Sequence, residues 1–191
     1  MRMSRLLPVL LCGLLLAGCA GAVSREAPTP LRLEPVAAPA TYAEKLARLS
    51  VESPRIGAAV DPHDLLYSEE DFLRRPYARV RWGAPLGQQL GDLVVEQLTR
   101  SGLVGAIQQG GDPRLEIEVV EWLHDYRGEA PMARIALRSS LYRDERVVAQ
   151  WRWSDRTVFT PAGPLPGLAA QQRLLETWLA ELLAWLDGLP E

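Results

Sequence analysis

Two stretches of the chain have the apolar spacing of an amphipathic helix. Pro85 suits the first turn of the earlier helix and Gly102 is typical of its end. Its apolar stripe consists of Leu86, Leu90, Leu93, Val94 and Leu98. The later stretch runs from Gly167 to Leu186, and its stripe consists of Leu168, Leu175, Trp178, Leu179, Leu182 and Leu186. The pattern therefore predicts two helices, each with one face for a core.

Three segments between these helices alternate between apolar and polar residues, as half-buried strands do. In the first, the apolar parity of Leu115 to Val119 changes phase at Val120, which predicts a bulge. The apolar positions of the second are Ala133, Ile135, Leu137, Ser139 and Leu141, and those of the third are Val147, Ala149, Trp151 and Trp153. A turn at residues 143–145 joins the last two, so the pattern predicts an antiparallel meander.

Shorter apolar runs precede the first helix. They predict strands within residues 29–34, 45–51, 56–60, 64–67 and 72–77, with polar turns around Asp61 and at residues 68–71. Taken with the helices and the meander, they predict an α+β fold in a single domain. In this fold a mostly antiparallel sheet packs against two main amphipathic helices.

The N-terminus has the pattern of a lipoprotein signal. Arg2 and Arg5 precede an apolar stretch at residues 6–17 that is shorter than the ~20 apolar residues a membrane span needs. The stretch ends in Leu16-Ala17-Gly18-Cys19, which resembles the lipobox of bacterial lipoproteins. This predicts a signal peptide at residues 1–18, an S-diacylglyceryl and N-acyl modification of Cys19, a tether at 19–28 and a domain at 29–191. The alternative is an ordinary signal peptide with an incidental cysteine.

The composition of the chain argues against several kinds of functional site. Lys and Arg number 21 and Asp and Glu 24, so the formal charge of −3 gives no basic excess for a nucleic-acid surface. Two cysteines and two histidines leave little for a zinc site, and Cys12 leaves with the signal, so we expect no disulfide and no metal. Because Ala20 rather than Asp follows Cys19, the expected address is the periplasmic face of the outer membrane.

Candidate catalytic groups are few. Asp61, His63 and Asp64 could form a base with carboxylate support, but a solvated turn is the favoured interpretation. His124 is interpreted as a structural or exposed histidine. The sequence contains no G-x-S-x-G elbow and no phosphate-cradling glycine loop. We therefore expect a protein that is not an enzyme and has no cofactor.

One charged segment and two pairs of tryptophans each allow two interpretations. The run Glu69-Glu70-Asp71 with Arg74 and Arg75 fits a solvated hairpin tip, or a surface for lipid head groups or a partner. The pairs Trp151 with Trp153 and Trp178 with Trp185 fit a core, or a docking or oligomer contact.

Residues 77–86 carry a family resemblance. Tyr77, Trp82, Pro85 and Leu86 fit a Tyr-x-x-x-x-Trp-x-x-Pro-Leu pattern that opens the first helix. With the lipobox, the early Pro30 to Leu33 segment and the acidic-apolar strand at 115–119, the chain resembles the ABC-type transport auxiliary lipoproteins, which include paraquat-inducible protein C.

The resemblance implies a docking role without catalysis. It implies an outer-membrane lipoprotein that serves as auxiliary subunit of an ABC system for phospholipid transport. Its partners would be an MCE-domain tunnel protein, the ABC permease and the ATPase, and a homo-oligomer is possible. The four pattern residues would then be structural. The alternative is a structural or assembly lipoprotein of the cell envelope with no transport partner.

The lipobox interpretation predicts the fate of a Cys19→Ser variant. Serine has no thiol to form the thioether, so we expect the variant to stay unlipidated and uncleaved. Mass spectrometry of the membrane-extracted protein checks this. Processing of Cys19→Ser to the same length as the wild type would show that Cys19 is not the acylated residue.

Overall fold

The computed structural model describes residues 27–57 and 60–190. The predicted signal peptide, Cys19 and residues 20–26 of the tether lie outside the described residues. The described part forms one hydrophobic core, to which residues from Leu31 to Leu186 contribute.

Ten strands and two helices follow one another along the described chain. In order they are β1 (Thr29–Leu31), β2 (Leu49–Val51), β3 (Arg55–Ile56), β4 (Leu66–Ser68), β5 (Arg75–Pro76), β6 (Val80–Trp82), α1 (Leu86–Ser101), β7 (Ile107–Gln108), β8 (Arg114–Asp125), β9 (Met132–Arg143), β10 (Arg146–Val158) and α2 (Pro164–Asp187). The order confirms the α+β class.

The three long strands form the predicted antiparallel meander, in the order β10-β9-β8. The register of β8 shifts between Val119 and Glu121, which is the bulge that the phase change predicted. A second shift lies between Val147 and Ala149 in β10. The sequence missed this second bulge. Val147 was expected to share the buried parity of Trp153, whereas it is 50% exposed.

The short strands pair mainly in parallel, which makes the large sheet mixed. Strands β2, β3 and β4 pair in turn with Arg114–Leu115, Glu118–Val119 and Leu123–Asp125 of β8. β4 also forms a hairpin with β5, and β1 pairs in parallel with β6 as a separate ribbon. Each of the five predicted N-terminal segments overlaps a strand, but the strands are two or three residues long, and β3 shares only Ile56 with the predicted segment 56–60.

The helices agree closely with prediction. Gly102 ends α1 in the left-handed conformation at φ 75°, where glycine has no Cβ to clash. The second helix begins at Pro164 rather than Gly167, since proline fits the first turn, where its missing N–H costs nothing. α2 packs on β9 and β10 and also contacts α1. Trp178, on its buried face, is fully enclosed.

A glycine sets how closely α2 approaches the sheet. A Cβ on Gly167 would lie 2.4 to 2.6 Å from three ring atoms of His124 on β8. His124 itself is fully buried, so the ring has little room to retreat. Gly167 therefore permits a contact that no other residue type could make without moving the helix or the imidazole.

We predict that Gly167→Ala lowers the free energy of unfolding by about 2 kcal/mol, as overpacking of a core does. Intrinsic helix propensity alone predicts the opposite sign, a gain of about 1 kcal/mol. Urea denaturation measures the difference. The control is Ala169→Gly at an exposed position of α2, which should cost about 1 kcal/mol through propensity alone. An alanine variant more stable than the wild type would contradict the contact.

Candidate functional site

Two of the four pattern residues in the 77–86 segment, Trp82 and Leu86, are buried, and the other two are partly buried. Trp82 is 1% exposed and meets Trp122 edge to face, with ring centroids 6.4 Å apart. Leu86 is buried at the start of α1, and Pro85 directly precedes the helix. Tyr77 is half-buried. These four residues connect β5, β6 and α1 to the core, and their side chains offer little surface to a partner.

Tyr77 belongs to a polar cluster that the sequence did not bring together. Its hydroxyl lies 2.9 Å from Nδ1 of His124 and 2.6 Å from the hydroxyl of Tyr126. Two arrangements satisfy this chain with a neutral imidazole. Either Tyr126 donates to Tyr77 and Tyr77 donates to Nδ1, or Nδ1–H donates to Tyr77 and Tyr77 donates to Tyr126. Phe159 covers the other side of the ring, with centroids 5.2 Å apart.

The imidazole of His124 is held neutral by its surroundings. Burial lowers the pKa of His124 to about 4, because the charged form loses its hydration there. Burial also raises the pKa of Tyr77, aided by the hydrogen bond with Tyr126. Of the two interpretations of His124, the structure supports the structural one. The cluster joins the ends of β5 and β8 and is closed to solvent at the imidazole.

The Asp61 turn is also a structural device. The backbone N–H of His63 donates to Oδ1 of Asp61 at 2.8 Å, and Nδ1 of His63 lies 2.9 Å from the carbonyl oxygen of Trp82. Burial, with the nearby Asp61 charge, raises the pKa of Asp64. The contact between His63 and Trp82 therefore links the turn to β6.

The tryptophans divide between the core and its margin. Trp153 and Trp178 are buried, at 8% and 0% exposure. Trp151 is half-buried and stacks on Trp185 of α2, with ring centroids 5.9 Å apart and planes 22° apart. This pair closes the core beside β10, where part of both rings meets solvent.

Strand β10 is the long margin of the eight-stranded sheet. It pairs with β9 over its length, and its outer side pairs with no strand among the described residues. Val147 and Val148 are half-exposed at its start and Val158 at its end. Unpaired backbone groups on such an edge are a ready template for another strand.

The sheet surface next to this edge carries ordered charges. Glu118 of β8 pairs with Arg138 of β9, and Glu121 lies 3.3 Å from Arg134. On β10, Arg152 and Arg156 are exposed and have no carboxylate within 4.0 Å among the described residues. The carboxylates of β8 are therefore paired, and the β10 edge carries Arg152 and Arg156 with one exposed carboxylate, Asp155, between them, which leaves a net positive charge.

At one end of the sheet, Asp125 accepts four hydrogen bonds, one of them from the backbone N–H of Arg127 at 3.1 Å. It accepts hydrogen bonds from the Arg127 side chain at 2.7 and 2.8 Å and from Arg134 at 2.9 Å, although it is 3% exposed. The Arg127 guanidinium holds the pKa of Asp125 well below its usual range. Arg127 also donates to Asp71 at 2.9 Å, which ties the β4–β5 hairpin to this end.

A groove of about 780 Å³ lies between α1 and the short strands β2 and β7. Its rim carries Glu52, Asp92 and Glu96, which disfavour an anionic lipid head group. In residues 27–57 and 60–190, no three His, Cys, Asp or Glu side chains come together to hold a metal. Nor does any helix in that part of the chain have the length and apolarity to cross a membrane.

Comparison with known proteins identifies the family. The model of the ABC-type transport auxiliary lipoprotein component matches residues 31–182, from β1 into the second half of α2. The chain belongs to this family. The match covers the Tyr77–Leu86 segment, the meander and the free β10 edge alike. The chain is thus an auxiliary lipoprotein of the ABC transport type, a class of membrane-anchored envelope proteins.

Solved structures share the fold. A Xanthomonas campestris protein is 26% identical, with a TM-score of 0.68 over 84% of this chain and 92% of that one. An uncharacterized protein is 18% identical, with a TM-score of 0.61 over 85% and 97%. A hypothetical protein of Chlamydia trachomatis is 8% identical, with a TM-score of 0.50 over 76% and 100%. Among curated proteins, no sequence match was found.

The buried His124 predicts an acid sensitivity. Its pKa is about 4 when folded and 6.5 in the unfolded chain, so the unfolded chain binds more protons between these values. The stability that the neutral His124 contributes is therefore fully present above about pH 6.5, and it is lost as the pH falls toward 4. At 1.36 kcal/mol per pKa unit, the loss from pH 7 to pH 5 is about 2 kcal/mol.

Urea denaturation at pH 7 and pH 5 measures this loss in the wild type and in His124→Asn. The asparagine can accept the Tyr77 hydrogen bond but cannot titrate. We expect a less stable variant whose free energy of unfolding changes much less between the two pH values. An unchanged pH dependence in the variant would mean that other groups cause it.

Proposed function

We propose that this lipoprotein sits on the periplasmic face of the outer membrane and docks an ABC system for phospholipid transport. Its direct partner in this proposal is an MCE-domain tunnel protein, and it is not an enzyme. The observation that carries the proposal is the family match over residues 31–182. The lipobox at Cys19, followed by Ala20, supports attachment to the outer membrane.

The surface best suited to docking is the β10 edge. It offers backbone hydrogen bonds along a strand of 13 residues. Arg152 and Arg156 give it a positive charge that other side chains in the described ranges leave unneutralised. The Trp151–Trp185 stack adds a partly exposed aromatic surface on the helix side. A partner strand with acidic side chains would match all three features.

The absence of catalysis is part of the proposal. Among the candidate groups, His124 is buried and kept neutral, and His63 holds the Trp82 carbonyl. Neither histidine has a serine or cysteine nucleophile among its hydrogen-bond partners in the described part of the chain. Both serve the fold.

Site-specific photocrosslinking in cells tests the docking surface. A benzoylphenylalanine that replaces Arg152 or Arg156 should capture an MCE-domain protein. The matched control replaces Arg173, an exposed arginine on α2 away from the sheet edge, and should capture much less. Equal capture at all three positions, or capture at Arg173 alone, would place the contact elsewhere.

The same experiment separates the alternatives. Capture of an envelope-assembly protein, with no permease, ATPase or MCE protein in the complex, would favour the structural or assembly lipoprotein. A product of twice the monomer mass would instead assign β10 to a homo-oligomer. Neighbouring genes for a permease, an ATPase and an MCE protein would favour the transport role before any crosslink is made.

A further inference from the structure

The tip of the β4–β5 hairpin exposes an apolar pair. Phe72 is fully exposed and Leu73 is 39% exposed. Phe72 also has φ 64°, in the left-handed region that bulky side chains rarely adopt. A residue such as Asn or Gly would suit this turn better. The domain thus keeps a large apolar side chain at a position where it adds nothing to the core.

The tip is held in a defined shape. The Ser68 hydroxyl lies 2.7 Å from the Leu73 carbonyl oxygen and 2.8 Å from that of Glu70, so its single hydrogen is shared between these two acceptors. Arg127 holds Asp71 at 2.9 Å while it also binds the buried Asp125. Phe72 therefore projects from a braced turn, and its exposure is a fixed property of the hairpin.

The charges around the tip are partly paired. Glu69 and Glu70 lie 3.6 and 3.2 Å from Arg75, and Asp71 pairs with Arg127. Glu69 and Glu70 thus share one arginine, and Asp71 shares Arg127 with Asp125, so the arginines offset part of the negative charge of the acidic run. The tip has an apolar pair with arginine side chains beside it. Such a surface suits the boundary between lipid head groups and acyl chains, where apolar side chains are buried and charged groups stay hydrated.

The direction of β1 places this tip toward the lipid anchor. β5 and the residues after it run away from the tip. The backbone N–H of Tyr77 donates to the carbonyl oxygen of Leu65, and that of Trp82 donates to the carbonyl oxygen of His63. β1 runs parallel to β6, from Thr29 beside Val80 to Leu31 beside Trp82. The chain therefore enters the domain from the hairpin side.

The tether is long enough for the tip to reach the bilayer. Cys19 and Thr29 can be at most ~35 Å apart, at ~3.5 Å per residue. Two more exposed apolar residues lie at the same end of the sheet. Ser68, Asp125, Met132 and Val158 form one cross-strand row there. Val158 is 56% exposed in this row, and Leu165 at the start of α2 is 59% exposed.

We propose that the hairpin tip inserts Phe72 and Leu73 into the interfacial region of the bilayer that holds the Cys19 acyl chains. The hairpin end of the domain then faces the lipid, and the turn between β9 and β10 points away from it. This inference rests on the lipid anchor of the proposed function. It adds a second, orienting contact to that anchor.

An environment-sensitive label at position 72 tests the insertion. The full-length, lipidated protein is reconstituted in vesicles of phosphatidylethanolamine with a minor share of phosphatidylglycerol. Phe72→Cys carries a nitrobenzoxadiazole label, and the matched control is Val148→Cys, a half-exposed apolar position at the opposite end of β10. If Cys19 is acylated and Cys12 removed, the introduced thiol is the single free one.

We expect the label at 72 to shift its emission to the blue and to lose most of its intensity to nitroxide-bearing lipids, while the label at 148 keeps a water-like spectrum. Equal, water-like spectra at both positions on protein that floats with the vesicles would overturn the insertion and leave the lipoprotein intact. A blue shift that nitroxide lipids do not quench would show a protein contact and also overturn it. Failure to float would overturn the anchor and the insertion together.

Discussion

Strand β8 presents backbone hydrogen-bonding groups on both edges over 12 residues, and most of the sheet is assembled on them. β9 takes one edge along its length, while β2, β3 and β4 divide the other. The N-terminal strands are too short to be stable alone, so their register is set by β8. The bulge at Val119 and Glu121 lies where β3 ends its pairing and leaves room before β4.

The sequence was sufficient to predict an element wherever its apolar pattern repeats over several helical turns or several residue pairs of a strand. Both helices and the three long strands were predictable because their apolar residues recur at a fixed period. The extents of β2 to β5 were not, because a two-residue strand contains no period and is defined by its partner. The same holds for the second bulge, which turns Val147 outward. The cluster of Tyr77 and His124 joins residues far apart in sequence, so no local pattern could reveal it.

The buried and the exposed aromatic residues of this domain have different roles. Trp82, Trp122 and Trp178 fill the core, and the family pattern at residues 77–86 serves that purpose. The features open to other molecules are elsewhere: the β10 edge and the β4–β5 tip. A sequence reader could have found Phe72 from its place between acidic and basic residues in a predicted turn, since a large apolar residue at a loop tip needs an external reason. The free β10 edge could be found only from the strand order of the sheet.

The parallel pairing of β1 with β6 also has a mechanical consequence. A pull on the N-terminus through the proposed lipid anchor would act along the axis of β1, because β1 is the first strand after the tether. The hydrogen bonds between β1 and β6 are then loaded in shear and share the force, whereas a pull across the pair would open them one after another. Leu31 and Leu33, both buried, add resistance to sliding. With the anchor and the partner of the proposed function, the short ribbon would carry the tension when the membrane and the partner move apart.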